Sequence, residues 1–530
     1  MADTPGGSRQ LRPSLLGDRH LAERDPFIDV VRVACICVVV LGHWITTTVV
    51  WSDGAVDAVN ALEVIAAGRA VTWLVQVMPL VFFIGGFANA VSLCRHGGGY
   101  LPYLEARLGR LLWPTYVFLS VWLAVAVGIE IIDPTAPAKA EAAEVAALPL
   151  WFLGIYVVAV ALAPAAWRLH GRARFATAAV LGVGVAVVDA VSIGGGLTDV
   201  GGLNYALVWL LAHQMGFFYA DGTLERWGLR GAALLAGIGM AGLVLLTTVG
   251  NYPVSLVGVP GQARSNAQPP SLAMLALTLW LVGLALLLRP CVSRLWSRRR
   301  LVGSVKRVHG VVLTTFLWHV TAISVAGAIW HAVGLPEPEI GSVSWWRLRP
   351  LWLLMAVVPL VMLLAVFGRL EKHPRGRPGG LSPSRAAALG FAVFAIAIGL
   401  LGFGETGFFP VAPAQGEALL MFELNPLQNV FHLVVGTAVV LVARRKVAVP
   451  AALAGAGLFV LSGLLEVIGC TVVDSLGMDG FTGGAHIVAG GIAVFALLAA
   501  LALEQVSAES LRRDRTEPET GDNQAGASRS

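Results

Sequence analysis

Arg32 and His43 interrupt an otherwise apolar run, F-I-D-V-V-R-V-A-C-I-C-V-V-V-L-G-H-W-I-T-T-T-V-V, over residues 27–50. On a helix turning about 100° per residue, eleven positions put them about 20° apart in azimuth and about 16 Å apart along the axis. They share one face. An arginine inside a bilayer costs roughly 2.5–3.5 kcal/mol on insertion scales, so it turns to an inward partner or a wet cavity, or snorkels to an interface. For Arg32 both outcomes stand open: a bundle interior, or the headgroups, with Asp29 at i−3 as ion-pair partner. Histidine titrates near neutrality and so can take or give a proton, although a single buried histidine also serves simply as a packing residue. A cation and a proton acceptor on one buried face are catalytic parts.

The element that must position them is a membrane helix, because about 24 residues are enough to cross a hydrocarbon core of about 30 Å. Of the 530 residues, 57% are hydrophobic and only 13% charged, with mean hydropathy +0.76. This composition excludes a large soluble domain. Apolar spans fall at about 27–50, 71–93, 111–132, 146–166, 175–193, 203–219, 231–250, 270–288, 309–331, 350–368, 386–404, 427–443, 449–469 and 482–503. The expected fold is an all-α, polytopic integral membrane protein of about 14 transmembrane helices. With both termini cytoplasmic, 31 of the 37 Lys and Arg fall in the tails and inner loops, five fall in outer loops, and Arg32 is the last. That asymmetry is the positive-inside pattern and predicts a multi-pass protein of the plasma (inner) membrane. The basic run at 294–307 reads as an inner-face anchor, and the pI near 9.1 implies no nucleic-acid partner. Residues 1–26 have no apolar signal-peptide core and are expected to be a disordered cytoplasmic tail. Five cysteines without a C-x-x-C pair predict neither a disulfide framework nor a metal site.

Several strings accompany the first pair. The second span carries M-P-L-V-F-F-I-G-G-F (78–87), whose adjacent Gly85 and Gly86 allow close approach of another helix, the first being the expected neighbour. An inner stretch, Y-L-E-A-R-L-G-R-L-L-W-P (103–114), sets Arg107 and Arg110 at i and i+3 on one helix face, a spacing suited to gripping phosphates. The fourth span opens L-W-F-L-G-I-Y (150–156). Arginine, ten residues, histidine on the first helix, then P-x-x-F-F-x-G-G-F, R-x-x-R with a following proline, and W-F-L together resemble the membrane-bound acyltransferase 3 family over residues 27–368. The resemblance implies a ten-helix bundle that moves an acyl group from coenzyme A on the cytoplasmic side to a sugar or other acceptor. It assigns His43 as catalytic base or transient acyl carrier, Arg32 as a catalytic and donor-binding cation, and Arg107 and Arg110 as donor-binding residues. Two positions depart from the family pattern: Gly85 stands where serine is usual, and Tyr156 where many members place a glutamate. If that glutamate orients the histidine, Asp189 is the one acid within spans four to ten that can replace it. His213 in the sixth span and His319 in the ninth, within F-L-W-H-V-T, are either cavity-lining or structural.

A linker rich in charge, proline and glycine, E-K-H-P-R-G-R-P-G-G-L-S-P-S-R (371–385), closes this unit. Counting residues 369–385 as linker, a second four-helix membrane domain follows over 386–504. It resembles an uncharacterised bacterial membrane family, with His432 and His486 in related H-x-x-x-G strings. Residues 505–530 form a polar tail. The expected function is O-acyl transfer, chiefly of acetyl groups, from acyl-CoA as co-substrate, with no bound cofactor, to a hydroxyl of a cell-envelope carbohydrate, lipid or small-molecule acceptor. A transporter, or an acyltransferase-like scaffold without turnover, are the rival readings.

Overall fold

The computed structural model describes residues 25–52, 55–96, 100–132, 148–296, 299–371, 383–408, 417–419, 422–442, 447–468, 493–494 and 497. The first helix, α1 (Pro26–Thr46), starts where Asp25 Oδ1 accepts the Phe27 and Ile28 amides, with Pro26 at N1. It stops at Thr46, short of the expected end at residue 50. The run T-T-V-V-W-S is β-branched and pairs instead as strand β1 (Thr47–Ser52) with antiparallel β2 (Ala55–Asn60), Thr47 opposite Asn60. His43 therefore lies in the last turn of its helix rather than just past its middle.

Next come α2 (Gly68–Val75) and α3 (Met78–Arg95), broken at Gln76–Val77 because Pro79 has no amide to carry the helix through. The R-x-x-R stretch lies inside one long helix, α4 (Tyr100–Ile132). Spans four and five merge into α5 (Pro149–Asp189), kinked where Ala173 leaves helical geometry at φ −149°, ψ 45°. Then follow α6 (Asn204–Ala220), α7 (Thr223–Thr248), α8 (Leu272–Trp296), the short basic α9 (Arg299–His309), α10 (Val312–Ala332) and α11 (Val343–Phe367), which ends in a 3-10 turn, Gly368–Glu371.

The second unit begins with α12 (Pro383–Thr406), a small hairpin β3 (Glu417–Leu419) and β4 (Phe422–Leu424), α13 (Pro426–Val442) and α14 (Ala448–Ile468). Asn425 and Gln428 cap α13 reciprocally, each side chain accepting the other's backbone amide. His432 is fully buried. The fourteenth expected span lies almost wholly outside the described residues, as does His486. The chain is thus a multi-pass membrane protein, with two small hairpins added to an otherwise helical fold. Among the described residues seven helices are long and apolar enough to cross a bilayer, and shorter apolar helices lie at 388–404, 426–442 and 449–462.

Glycines set the closest crossings. A Cβ on Gly86 would lie 1.9 Å from the His213 carbonyl oxygen, and one on Gly216 would lie 2.1 Å from that of Phe83. The neighbour that the Gly85-Gly86 region accommodates through Gly86 is therefore α6, not the first helix. Against α5, the face of α12 brings Leu401 onto Gly154 and Gly404 onto Trp151, so the second unit packs directly on the first. Between α6 and α7, beside the kink of α5, buried Asp221 accepts from His170 Nε2 at 3.2 Å, Arg174 at 2.7 Å and the Thr223 amide at 2.8 Å. Burial alone would raise its carboxyl, but these bonds outweigh burial and hold it down at about 2.

Candidate active site

The outer end of α1 is locked to its neighbours by backbone acceptors. Trp44 Nε1–H donates to the His319 carbonyl at 2.9 Å, and Trp352 Nε1–H donates to the Trp44 carbonyl at 2.9 Å. Arg349, buried and stacked 3.8 Å over the Trp345 ring, donates to the Thr47 carbonyl at 3.3 Å and to Thr48 Oγ1. These bonds fix the register of α1 against α10 and α11. Within that frame His43 Nδ1 meets His319 Nε2 at 2.7 Å, and His319 Nδ1 lies 2.6 Å from the Phe316 carbonyl.

The pair has a direction. A carbonyl only accepts, so His319 carries its proton on Nδ1, and in a neutral ring its Nε2 is then an acceptor. His43 must therefore donate from Nδ1, which leaves the lone pair on its own Nε2. No described residue bonds that nitrogen, and His43 remains exposed while His319 is fully buried. One ring keeps a free ring-nitrogen lone pair and the other fixes its tautomer.

At the other end of α1, the end that the charge bias assigns to the cytoplasm, Arg32 donates to His309 Nε2 on α9. Asp29 Oδ1 lies 3.9 Å from the same guanidinium and 3.4 Å from His309 Nε2. Arg32 thus has the expected i−3 ion pair, yet it also lines a cavity of about 610 Å³, within the size range of ligand sites. Arg107, Arg110, Tyr156, His309 and Glu371 supply the polar side of this cavity, while Ile36, Val39, Met78, Ile84, Gly85, Phe152 and Phe316 are among its apolar walls. Val39 stands one turn before His43 and Phe316 one turn before His319, so the apolar end approaches the histidine pair. A cationic mouth and an apolar interior suit an amphiphile with an anionic head.

The expected site residues divide. The cavity gathers Arg32, Gly85, Arg107, Arg110 and Tyr156; His43 and His319 bond each other and are not among its lining residues, each following a wall residue, Val39 or Phe316, on its own helix. Asp189 is elsewhere: it accepts from Asn204 at 2.6 Å, Tyr252 at 2.9 Å and the Leu272 amide at 2.6 Å, tying α5 to α6 and α8. His319, not Asp189, is the residue that bonds His43. His213 is buried and receives Asn89 Nδ2–H on Nε2 at 2.9 Å, a helix-to-helix bond, and neither it nor Gly86 lines the cavity. The loop at 251–268 is strapped to α2: Trp73 Nε1–H reaches the Val254 carbonyl at 2.8 Å, and the Leu256 amide reaches Thr72 Oγ1 at 2.9 Å.

Two cavity residues escape sequence reasoning. His309 lies two residues past the basic run at 294–307 that reads as an anchor. Glu371 lies in what reads as linker, yet its carboxylate accepts from the Leu313 amide at 3.1 Å, the Thr314 amide at 3.0 Å and Thr314 Oγ1 at 2.9 Å. Burial pushes this carboxyl up, against those bonds and the nearby Arg110. A signal for it exists in the sequence: α10 has Val311 at its N-cap, which caps nothing, so its free amides need an acceptor from elsewhere.

Residues 25–370, more than half of the chain, match the model of the acyltransferase 3 family, described as an acyltransferase domain, and the protein belongs to that family. Residues 385–502 match a domain of unknown function (DUF4383). No curated protein and no solved structure matches the chain significantly. The protein is therefore a multi-pass membrane acyltransferase carrying an uncharacterised second domain.

Proposed function

We propose that the protein transfers an acyl group, acetyl in the first instance, from acyl-CoA to a hydroxyl of a cell-envelope carbohydrate or similar acceptor at the plasma membrane. The observation that supports this reading is His43, whose Nε2 lone pair the bond to His319 leaves available, on the same helix as Val39 and Arg32 of a cavity that also bears Arg107 and Arg110. The coenzyme's phosphates bind the arginines by charge-assisted bonds. From Arg32 to His43 is about 16 Å along α1, the reach of an extended pantetheine arm.

The acceptor hydroxyl comes from the outer side, where α1 ends at β1. His43 Nε2 takes its proton as the oxygen attacks the thioester carbonyl. The carbon–sulfur bond then breaks, and the coenzyme leaves as thiolate, which recovers the proton from His43. The positive charge that His43 carries in passing is shared with His319 through their hydrogen bond. Donor binding is tested by Arg107→Ala and Arg110→Ala, each expected to raise KM for acetyl-CoA about tenfold or more while kcat falls less. Unchanged KM in both variants would remove acyl-CoA from the arginine mouth.

A further inference from the structure

Tyr156 makes two contacts at once. Its hydroxyl accepts an Nη2–H of Arg107 at 3.0 Å. Its ring lies against α3 so closely that a Cβ on Gly85 would sit 2.6 Å from Cε2 and 3.0 Å from the hydroxyl oxygen. Phe82 and Phe152, with ring centroids 5.9 and 5.5 Å away, hold the ring from two further sides. The phenol therefore has one place to sit, between α3 and α5, and glycine at 85 makes that place. Arg107 in turn has a buried Nε–H with no hydrogen-bond partner among the described residues, beside the cavity that it lines. A buried guanidinium donor is costly to leave unmade, and a phosphate oxygen is the acceptor its fork geometry fits.

We propose that Tyr156 is a positioning residue for Arg107, and that Gly85 and Tyr156 form a matched pair. The phenol hydroxyl fixes the guanidinium plane so that the buried Nε–H is kept for a phosphate of the donor. This inference rests on the acyl-CoA reading. It also joins the two departures noted in the sequence into one structural fact: serine is missing at 85 because a tyrosine ring from 156 occupies its space.

The test is equilibrium binding of radiolabelled CoA to the full-length protein in lipid nanodiscs, together with kcat and KM for acetyl-CoA. Wild type is compared with Tyr156→Phe, Tyr156→Ala, Gly85→Ser and the double variant Gly85→Ser/Tyr156→Ala. Tyr156→Phe keeps the ring and loses the bond, so Kd and KM should rise about tenfold with kcat within about twofold. Gly85→Ser should weaken binding alone but add nothing once Tyr156 is Ala. Wild-type affinity in Tyr156→Phe, or multiplied penalties in the double variant, would overturn the proposal. Should Gly85→Ser fail to fold, Tyr156→Phe alone decides. Wild-type protein that binds no CoA would instead defeat the donor reading, and the phosphate assignment at Arg107 with it.

Discussion

Replacing His319 by Phe removes the acceptor that holds His43 in one tautomer, while the bond from Trp44 to the residue-319 carbonyl survives because it uses backbone. The register of α1 on α10 should therefore persist, and the loss should fall on chemistry. His43 Nδ1–H, which faces the buried side of the pair, would be left without a partner, at a cost of about 1–3 kcal/mol. The ring escapes that cost by turning or by moving its proton to Nε2, and either change takes the lone pair away from the acceptor. Converted at about 1.4 kcal/mol per factor of ten, kcat should fall roughly 5- to 150-fold with KM for the donor little changed. His319→Gln can still accept through its amide oxygen and should lose less than His319→Phe. The assay is single-turnover acetyl transfer by purified protein in nanodiscs, with CoA binding as a control for folding. A His319→Phe variant with wild-type kcat would refute the orienting role, as would a His319→Gln variant that is no better than Phe.

Asp221→Asn should destabilise the protein by about 2 kcal/mol, since its carboxyl is held at about 2 against an ordinary 3.8. A lowered carboxyl stabilises above the unfolded value and loses that stabilisation as pH falls through the folded one. The melting-temperature gap between wild type and Asp221→Asn should accordingly be constant from pH 8 to about pH 5 and close between about pH 4 and pH 2. Gly216→Ala pushes a methyl into the Phe83 carbonyl, and parting α3 from α6 should lower thermal stability by several degrees, well beyond Gly237→Ala, where a Cβ meets nothing within 4 Å.

The membrane class and the first-helix pair were legible because both depend on local properties, apolar run length and helical phase. Arg32 and His43 do lie on one helix, and α6 (Asn204–Ala220) falls close to its apolar span, whereas α7 begins well before its span, at Thr223, and α8 runs past its own to Trp296. The end of α1 was misjudged because apolar content alone does not separate a β-branched strand from a helix, as Thr46-Thr47-Thr48-Val49-Val50 illustrates. The partner of His43 was missed for a different reason. Spacing along one chain carries no information on which of several buried polar residues meets another 276 positions away, so Asp189 could be named only as the one available acid and His319 stayed open between cavity-lining and structural. Glu371 and His309 were hidden by context, because charged residues near an inner helix end are ordinarily solvated. Gly85 and Tyr156 looked like two separate losses until the contact between them was seen.

The most direct test of the central claim is acyl transfer from radiolabelled acetyl-CoA to membrane and envelope fractions by wild type and His43→Ala, at matched levels of inserted protein. Removal of a general base should cut labelling about 10²- to 10⁴-fold, with CoA binding at the arginine mouth retained. Labelling by His43→Ala at the wild-type rate would show that the base lies elsewhere, and the assignment of the His43–His319 pair would be wrong.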